Sequence, residues 1–420
     1  MHVLWFTGVQ LPAVSGTGLN RAGWQEGLRQ ALYQENPDLK LSIASFGSES
    51  YQPFEVENAT YYNILREQLP VNRWKRMQES WKHRTFRSVD LSRILAVYQE
   101  VQPDMVFIFG TENPFGLLSD HFPVPTVISI QAVISGLVDN LFNGLTKNLM
   151  IQEFFSRETI IGQGIFHKWW TQKKHTRIEK EIYRKNNYFC GRTEWDHEWM
   201  KCLNSGARYF HIDRVLRDVF YHAEWDIGSS FEHRIFSLCG NAPFKGGITL
   251  VRALAYLIQD GNDQIKLRLA GVDSNSKIGK FICEMMKKFD LEDQVDLLGR
   301  LNSQQIIAEM QAARIFVLPT HMDNSPNSLA EAMILGMPCI ASNAGGIPSM
   351  INDGVDGLLY PHTESVTLAE KIKTLISDPS SAQSLGRNAR KIALERHNPS
   401  RIAKETMAVY DEVLNSEGDR

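Results

Sequence analysis

Apolar and polar positions alternate in blocks along the second half of the chain. Short apolar runs predict buried strands, and the amphipathic stretches between them predict helices. Regular alternation with short loops predicts a parallel sheet covered by helices on both faces. The predicted strands cover residues 234–238, 265–270, 294–298 and 314–318, and the predicted helices cover residues 247–258, 277–289 and 303–312.

The first half shows a similar pattern with longer connections. A first strand, a loop containing Gly16 and Gly18, and a predicted helix over residues 19–33 are how a Rossmann-like half begins. The glycine spacing differs from G-x-G-x-x-G, which favours a loop that turns or approaches a phosphate over a dinucleotide site. The predicted strands of this half cover residues 3–7, 41–46, 105–109, 126–130, 187–190 and 208–212.

The length of the chain predicts more than one domain. A chain of 420 residues is too long for one ordinary core, and two domains are the expectation. The polar stretch DIGSSFE, which follows Trp225, predicts the boundary between a domain of residues 1–225 and a domain of residues 226–398. Residues 399–420 are predicted to form one separate amphipathic helix.

Composition argues against several classes of protein. The net charge of −3, without a stripe of lysine and arginine, argues against nucleic-acid binding. Five cysteines without a C-x-x-C pair argue against a disulfide framework or zinc site and favour a reducing compartment. The N-terminus has no leader pattern, and no apolar run reaches the roughly 18–20 residues of a spanning helix. We therefore expect a cytoplasmic protein.

Two basic segments that also contain aromatic residues, residues 71–87 and 167–185, allow two interpretations. Lysines and arginines beside tryptophans suit a helix that lies on an anionic membrane, here the cytoplasmic face of the inner membrane. A solvated helix whose aromatic side chains pack inward has the same composition. Both interpretations stay open at this point.

The stretch most informative about function is residues 320–357. It follows the last predicted strand, and Ser325-Pro326 predicts the start of a helix that Gly336 ends. Such a helix N-terminus attracts anions because its N–H groups and the positive end of its dipole point outward. Asp323 and Glu331 frame it. Anion donors beside an acid that can hold a ribose diol suggest a nucleoside diphosphate.

Other candidate residues also follow predicted strand ends directly. Gly240, Lys245, Gly271 and Gly299 should share one sheet edge with Asp323, because ligands of such sheets bind at the carboxyl ends of the strands. The sequence around Lys245 is not a P-loop. A lysine beside glycines at a helix entrance is still a candidate clamp for a diphosphate.

These residues resemble a known donor site. Asp323-x7-Glu331, Lys245-Gly246, Gly345-Gly346 and the sequence DGVDG at residues 353–357 together resemble the signature of glycosyltransferase family 4, the retaining group 1 transferases. The resemblance covers residues 234–410. It implies the GT-B fold, in which an acceptor-binding and a donor-binding Rossmann-like domain face each other across a cleft and the last helix crosses back to the N-terminal domain.

The first half resembles a narrower group. The sequence GRTEWD at residues 191–196 and residues 209–217 look like a subgroup found among bacterial surface-polysaccharide gene products. Arg192, Glu194 and Asp196, at the start of the predicted helix, are interpreted either as structural residues or as contacts to an acceptor.

The resemblance implies a role for each candidate residue. Glu331 corresponds to the acid that binds the donor ribose hydroxyls, and Asp323 to the acid that contacts the transferred sugar. The other implied donor-site residues are Lys245, Ser325, Pro326, Asn327 and Ser328 around the diphosphate, Gly240 and Asn241 after the first strand of the domain, Gly299, Arg300 and Leu301 beside the base, and Gly16 and Gly18 in the loop that closes on the phosphates.

The chain departs from the family pattern at two positions. Asn241 stands where members often have an arginine, and Gln131 stands where many have a histidine. Either the Gln131 amide supports catalysis, or the alignment fails there.

The resemblance implies retaining transfer of a hexose from a UDP-sugar or GDP-sugar to a growing glycan or polyprenyl-linked oligosaccharide, in the synthesis of capsule, O-antigen or exopolysaccharide. Stabilising the departing diphosphate would be the main catalytic task, performed by preorganised donors and a cation. The chain contains no D-x-D sequence, and we expect no metal and no further cofactor. A nucleotide-sugar 2-epimerase and a non-catalytic sugar-nucleotide-binding protein are the alternatives.

Overall fold

The computed structural model describes residues 1–10, 23–47, 52–65, 72–82, 88–145, 147–162 and 164–418. The chain divides into two compact units, each with its own sheet and core. The first unit comprises Met1–Val138, Lys147–Val215 and Asn398–Arg420, and the second comprises Asp139–Thr146 and Leu216–His397.

The second unit begins before the predicted boundary at residue 225. Trp225 is buried in the core of this unit, where its backbone N–H donates to the Leu335 carbonyl (2.8 Å) and its indole N–H donates to the Ala313 carbonyl (2.8 Å). The polar stretch after Trp225 is therefore a surface turn within the second unit. The polar residues of this stretch indicate exposure to solvent. An exposed stretch can be either a surface turn within a domain or a linker between domains.

The first unit is built on an eight-stranded sheet in the order β3-β4-β2-β1-β5-β6-β7-β8. Neighbouring strands are parallel except β3 and β4. All six strands predicted in this half are present, whereas the pair β3 and β4 was not predicted. The strands are β1 His2–Thr7, β2 Lys40–Gly47, β3 Phe54–Val56, β4 Ala59–Leu65, β5 Met105–Phe109, β6 Thr126–Ser129, β7 Tyr188–Gly191 and β8 Arg208–His211.

Both faces of this sheet are buried. Along β1, Val3 and Trp5 pack into the core on one face, and Leu4 and Phe6 pack into the core on the other. Alternate side chains of a strand point to opposite faces, so burial on both faces requires an unbroken apolar run such as the one in β1. The helices of this part of the chain are α1 Gly23–Glu35, α2 Arg73–Lys82, α3 Ser88–Val101, α4 Ile134–Asn140, α5 Lys147–Phe154, α6 Arg157–Ile160, α7 Ile165–Lys185 and α8 Glu194–Leu203.

The second unit contains a six-stranded parallel sheet in the order β11-β10-β9-β12-β13-β14. The four strands predicted for this half are present. The strands are β9 Phe231–Leu238, β10 Lys266–Ala270, β11 Val295–Gly299, β12 Ala313–Leu318, β13 Cys339–Asn343 and β14 Leu358–Pro361, and the helices are α9 Gly247–Gln259, α10 Lys277–Lys288, α11 Ser303–Ala312, α12 Asn327–Leu335, α13 Ser365–Ser377 and α14 Pro379–Arg396.

The last helix, α15 (Pro399–Gly418), belongs to the first unit, as predicted. Ile402, Val409 and Val413 pack into the core of that unit, and the Trp5 indole N–H donates to the Tyr410 hydroxyl (3.1 Å). None of the described helices combines the length and the apolar character needed to cross a membrane.

The strand order of each sheet defines a place for a ligand. The second sheet has the Rossmann order 3-2-1-4-5-6, which reverses direction between β9 and β12. The first sheet reverses between β1 and β5. Loops that leave the carboxyl ends of such strand pairs diverge, and the crevice between them binds ligands in open parallel sheets.

Candidate active site

The loops that follow β9 and β12 are joined at the crevice of the second sheet. The His321 N–H donates to the Phe244 carbonyl (2.6 Å), and the Thr320 hydroxyl donates to the same oxygen (3.1 Å). Gly246 has a φ of +76°, and a Cβ at this position would collide with the Pro319 carbonyl oxygen. Only glycine meets both conditions, so Gly246 is what lets the two loops approach.

Lys245 and Asp323 form an ion pair at this point. The Lys245 Nζ lies 2.6 Å from Asp323 Oδ2, and both side chains remain partly open to solvent. The Asp323 loop is fixed by the Asn324 N–H, which donates to Asp323 Oδ1 (3.0 Å), and by the Gly346 N–H, which donates to the Asp323 carbonyl (3.0 Å). The predicted cation and acid of the site are thus in contact, 78 positions apart in the chain.

Helix α12 presents its N-terminus at the same edge because it follows β12 directly. The helix begins at Asn327, with Pro326 as an extended N-cap residue (φ −69°, ψ 120°) that has no side-chain capping hydrogen bond. Pro326 was predicted at the first helical position. The helix begins one residue later, at Asn327, because the ψ angle of Pro326 is extended. Ser325 therefore precedes the cap, and Asn327 and Ser328 open the first turn, where amide groups favour anions.

Glu331 is buried and paired. Its carboxylate accepts two hydrogen bonds from Arg217, at 2.7 Å from Nε and 2.7 Å from an outer nitrogen. The remaining outer nitrogen of Arg217 donates to the Ser303 hydroxyl (2.8 Å). The Glu331 side chain is 2% exposed, which rules out a solubilising surface acid. The two bonds from Arg217 fix the orientation of this carboxylate.

Asn241 holds the neighbouring loop. Its side-chain oxygen accepts hydrogen bonds from the Asp273 N–H (2.9 Å) and the Ser276 hydroxyl (2.9 Å). This links the loop after β9 to the loop after β10. Gly240, one residue before, also lies at this edge, where a Cβ added to it would come within 3.8 Å of Lys245 Cγ.

The loop after β11 completes the edge. The Gly299 carbonyl accepts a hydrogen bond from the Gly271 N–H (2.6 Å), so the loops after β10 and β11 are also joined. Arg300 is exposed, and Leu301 packs against the core of the unit. The candidate residues of the second half therefore line one edge, as predicted from the ends of the strands.

Gln131 belongs to the first unit, where it follows β6. Its amide nitrogen donates to the Ser129 hydroxyl (2.9 Å). Its amide oxygen accepts a hydrogen bond from Arg214 (2.7 Å), and Arg192 reaches the same oxygen at 3.5 Å and the Gln131 carbonyl at 3.1 Å. The amide is held in one orientation at the carboxyl edge of the first sheet.

Asp196 has a structural role. It is fully buried and forms a capping box with Thr193 at the start of α8. It also accepts hydrogen bonds from the Arg192 N–H (3.1 Å) and the Tyr209 hydroxyl (2.5 Å). Of the two predicted interpretations the structural one is correct for this residue.

His321, two residues before Asp323, is fully buried. The Thr249 hydroxyl lies 2.8 Å from its Nε2, and burial lowers its pKa to about 4, with His362 contributing to the shift. A neutral imidazole next to a hydroxyl supports the loop that carries Asp323. The burial of this loop residue could not be predicted from the sequence.

Two residues near the predicted sites were not identified as site residues from the sequence. Arg217 lies within the stretch that resembles the polysaccharide subgroup, and this was the one signal for it. Glu112 follows the end of strand β5 closely, and this position at a strand end was the signal by which it could have been found. Gly16 and Gly18 lie outside the described residues.

The second half of the chain is similar to known proteins. Residues 234–392 match the family model of group 1 glycosyl transferases. The N-acetyl-alpha-D-glucosaminyl L-malate synthase of Bacillus anthracis is 28% identical over 137 residues, covering 32% of this chain and 35% of the relative. The MMP alpha-(1->4)-mannosyltransferase of Mycolicibacterium hassiacum is 26% identical over 184 residues, covering 43% and 44%. The chain spans less than half the length of these curated relatives.

Solved structures resemble the chain over its whole length. The sucrose-phosphate synthase from Thermosynechococcus elongatus superposes with a TM-score of 0.73 at 16% identity, covering 99% of both chains. Alr3699/HepE of Anabaena, solved in complex with UDP-glucose, superposes with a TM-score of 0.67 at 15% identity, covering 97% of this chain and 100% of the other. These similarities extend to both units.

Proposed function

Because residues 234–392 belong to the group 1 glycosyl transferases and the chain has the GT-B fold, we propose that this protein is a retaining hexosyltransferase that uses a nucleotide-diphosphate sugar. The observation that carries the proposal is the ion pair of Lys245 and Asp323 beside the N-terminus of α12, at the crevice of the second sheet. One cation and a row of amide groups there suit a diphosphate.

The proposed chemistry follows from these groups. The bond between C1 of the donor sugar and the diphosphate oxygen breaks, and the electron pair stays on the diphosphate. Lys245 and the first-turn amides of α12 stabilise that charge, and the acceptor hydroxyl attacks C1 from the same face. Asp323 holds the Lys245 ammonium in place and accepts a hydrogen bond from the transferred sugar.

Glu331 would bind the donor ribose hydroxyls. Arg217 orients the carboxylate by two hydrogen bonds, so the acid is fixed before a ligand arrives. A group that needs no reorientation binds with a smaller loss of entropy. We propose a UDP-sugar or GDP-sugar as donor, without a metal or further cofactor.

The proposed acceptor is a glycan or a polyprenyl-linked oligosaccharide in the synthesis of capsule, O-antigen or exopolysaccharide. Support comes from the resemblance of the first half to surface-polysaccharide gene products. The complex of a structurally similar protein with UDP-glucose supports the UDP-sugar donor and does not bear on the acceptor.

Calorimetry with UDP, GDP and ADP, without added metal, tests the donor site. We expect one nucleotide to bind in the micromolar range. Lys245→Ala should weaken this binding at least tenfold, about 1.4 kcal/mol, because it removes the cation from the diphosphate. Lys266→Ala is the matched control, since Lys266 begins β10 at the opposite edge of the same sheet and donates to the Asp293 carbonyl.

Product analysis then separates the alternatives. A new glycoside supports the transferase, a 2-epimerised nucleotide sugar supports the epimerase, and binding without turnover supports a sensor. Failure of all three nucleotides to bind would contradict the proposed donor site. If Lys266→Ala weakened nucleotide binding as much as Lys245→Ala does, Lys245 would not be part of the donor site.

An exposed apolar surface on the first unit supports a peripheral membrane location. We define it by Trp74, Ile151, Phe154, Phe155 and Ile160, whose exposed fractions are 72%, 59%, 50%, 74% and 62%. Five large apolar side chains this exposed are unusual for a surface that contacts only water.

Ring contacts connect the segments that carry this apolar surface. Phe154 packs on Phe155 (5.0 Å between centroids) and on Phe166 (4.8 Å). Trp81, two turns along α2 from Trp74, donates its indole N–H to the Ile160 carbonyl (3.2 Å). Exposed basic residues are found on the same helices, namely Lys75, Lys82, Arg157, Lys168 and Lys173. Aromatic groups with nearby cations suit an anionic lipid surface.

Sedimentation with vesicles tests this location. We expect the protein to bind vesicles of phosphatidylcholine with about 30% phosphatidylglycerol, because the basic residues attract the anionic headgroups. Vesicles of phosphatidylcholine alone should bind it less. The double variant F154S/F155S should lose most of the binding. Val366→Ser, an equally exposed apolar position of the second unit (52%), is the control. Binding that ignores both lipid charge and the double substitution would contradict the proposal.

A further inference from the structure

Three neighbouring strands in the middle of the first sheet end in glycine. Gly47 is the last residue of β2, and Gly8 and Gly110 directly follow β1 and β5. The three strands are parallel and lie in the order β2-β1-β5. Neighbouring strands of a sheet are about 4.8 Å apart. The three glycines therefore form a row along the carboxyl edge of this sheet, with one strand spacing between neighbours.

Amide side chains from nearby positions lie over two of these glycines. A Cβ at Gly47 would collide with the Gln10 amide, and a Cβ at Gly8 would collide with the Asn113 amide. Any side chain at either strand end would therefore take the space of an amide. Glycine at both positions lets Gln10 and Asn113 lie against the strand ends.

The third glycine carries an acid in the same way. Gly110 has a φ of +88°, and a Cβ there would collide with the Glu112 carboxylate. Side chains thus lie over the ends of three consecutive strands, two of them neutral amides and the third a carboxylate. We define this set as the polar row, which consists of Gln10, Asn113 and Glu112.

The polar row has hydrogen-bonding groups that the fold does not use. Asn113 is the N-cap residue of the 3-10 helix Pro114–His121, but its side chain makes no capping hydrogen bond, although asparagine is a favoured capping residue. Within the described ranges, Gln10 and Glu112 make no side-chain hydrogen bond with another residue. All three residues are at least partly exposed. A ligand can therefore bind them without breaking a contact of the fold.

The row ends at the next strand of the sheet. Gln131 follows β6, but its amide nitrogen donates to the Ser129 hydroxyl (2.9 Å) and its amide oxygen accepts a hydrogen bond from Arg214 (2.7 Å). Arg192 donates to the Gln131 carbonyl (3.1 Å). The Gln131 amide is thus already engaged, as are the two guanidinium groups beside it. The polar row offers three positions and contains no cation.

These groups match the hydroxyls of a neutral sugar. An amide both donates and accepts hydrogen bonds and a carboxylate accepts them, and sugar hydroxyls can complement both. A diphosphate or an acidic sugar suits the row poorly, because Glu112 would repel it. The three positions span two strand spacings, about 10 Å. One pyranose unit of an extended glycan advances by a length close to one strand spacing, so each position can face one sugar.

We propose that the polar row binds three consecutive sugars of a neutral glycan, which lies across the ends of β2, β1 and β5. Gln10 and Glu112 contact the outer sugars, and Asn113 contacts the central one. This binding is a property of the first unit alone. That the glycan is the acceptor of the transferase rests on the proposed function, which names a glycan acceptor but no residues that bind it.

Calorimetry with neutral oligosaccharides of increasing length tests the polar row. The full chain is titrated, without nucleotide, with the di-, tri- and tetrasaccharides of the malto-, cello- and laminari- series. We expect at least one series to bind, with an affinity that rises about tenfold, about 1.4 kcal/mol, from the disaccharide to the trisaccharide. The tetrasaccharide should bind within about twofold of the trisaccharide, because the row offers no fourth position.

Substitutions at an outer and at the central position should give different results. Gln10→Ala removes an outer position, so the trisaccharide should bind only as tightly as the disaccharide. Asn113→Ala removes the central contact and should weaken the binding of both about fivefold, because each of them loses a hydrogen bond. Asn187→Ala is the matched control and should bind as wild type. Asn187 is exposed and precedes β7, at the opposite edge of the same sheet.

Thermal unfolding separates a binding role from a structural role. The side chains of the polar row make no hydrogen bonds within the described part of the fold, so the Tm of Gln10→Ala and of Asn113→Ala should stay within about 2 °C of wild type. A clearly lower Tm of Asn113→Ala would show that this amide supports the fold, and would contradict the proposal.

The outcomes separate this inference from the proposed function. If a nucleoside diphosphate binds but no oligosaccharide does, the polar row is not a glycan site, and the proposed function stands. If an oligosaccharide binds with the expected dependence on length but no nucleotide binds, the proposed function fails and the glycan site stands. Binding that does not depend on length, or that Asn187→Ala weakens as much as Asn113→Ala does, would also contradict the polar row.

Discussion

The two sheet edges carry similar residue types in different states. At the edge of the second sheet, Lys245 is paired with Asp323, and Arg217 is paired with Glu331. At the edge of the first sheet, the arginines bind the neutral Gln131 amide, and the Glu112 carboxylate has no such partner among the described residues. The charged groups at the edge of the second sheet are paired with one another. The edge of the first sheet contains an acid, Glu112, that can change its charge.

This difference fits two separate tasks. A site for a diphosphate benefits from charges whose positions are fixed in advance, because no reorganisation is then needed when the leaving group forms. A site for sugar hydroxyls needs polar side chains whose hydrogen bonds are not already made within the fold. The predictions below test whether the edges differ in this way.

The largest effect is expected at the buried pair of the second unit. Arg217→Ala leaves the Glu331 carboxylate buried without its partner, which should lower the free energy of unfolding by about 3–5 kcal/mol. Urea unfolding measures it. The nucleotide affinity should fall as well, because Glu331 loses its orientation.

Arg268→Ala is the control for that prediction. Arg268 makes the same two hydrogen bonds to Glu309 (2.9 and 2.6 Å), but both side chains are partly exposed. We expect a loss of about 1 kcal/mol there. Equal losses in the two variants would show that burial of Glu331 has no special weight.

His321 of the second unit and Glu112 of the first should contribute to stability in acid with opposite signs. His321 is buried with its pKa lowered to about 4, so its contribution to stability is full above pH 6.5 and is lost as pH falls towards 4. The loss should reach about 3 kcal/mol. The Glu112 effect has the other sign, since acid protonates a carboxyl that the fold prefers neutral.

The free energy of unfolding of wild type and of His321→Gln, measured between pH 7 and pH 4, checks this prediction. The variant, which cannot titrate, should lose most of the slope. His222→Gln is the control, since His222 is exposed. A variant with the full slope of wild type would assign the acid sensitivity to other groups.

A smaller difference is expected between two glycines with similar backbone angles. Gly110→Ala should lower stability by about 1–2 kcal/mol, because the left-handed conformation is strained and the Glu112 side chain can move aside. Gly246→Ala meets the Pro319 carbonyl, which cannot move alone, and should lower stability by about twice as much. Thermal unfolding of both variants decides. If Gly110→Ala lowered stability more than Gly246→Ala, the loops after β9 and β12 would be less tightly joined than described.

The edge of the second sheet was predictable because its signals are local. Strand ends, the helix after β12 and the residues Lys245 and Asp323 can each be recognised within a few positions. Parallel-sheet topology then brings the strand ends together without further information. The pairing of Lys245 with Asp323 follows from that topology.

The remaining features depend on contacts between distant positions. Arg217 and Glu331 are 114 positions apart, and nothing around either residue indicates the other. The pKa of Glu112 is raised first by loss of hydration and then by Glu179, while Arg192 and Arg214 oppose the rise, so it depends on residues from distant segments. The start of the second unit was misplaced because the burial of Trp225 depends on Ala313 and Leu335. The strands β3 and β4 were missed because their sequences mix polar and apolar residues.

The placement of α15 has a consequence for biosynthesis. Trp5 and Tyr410 share a hydrogen bond although 405 positions separate them, so the core of the first unit contains residues that a ribosome adds at opposite times. All residues of the second unit are available once His397 has been added. The unit that begins first therefore finishes last. Until α15 emerges, the core around Val3 and Trp5 lacks the side chains of Ile402, Val409 and Val413, and this incomplete core is prone to aggregation.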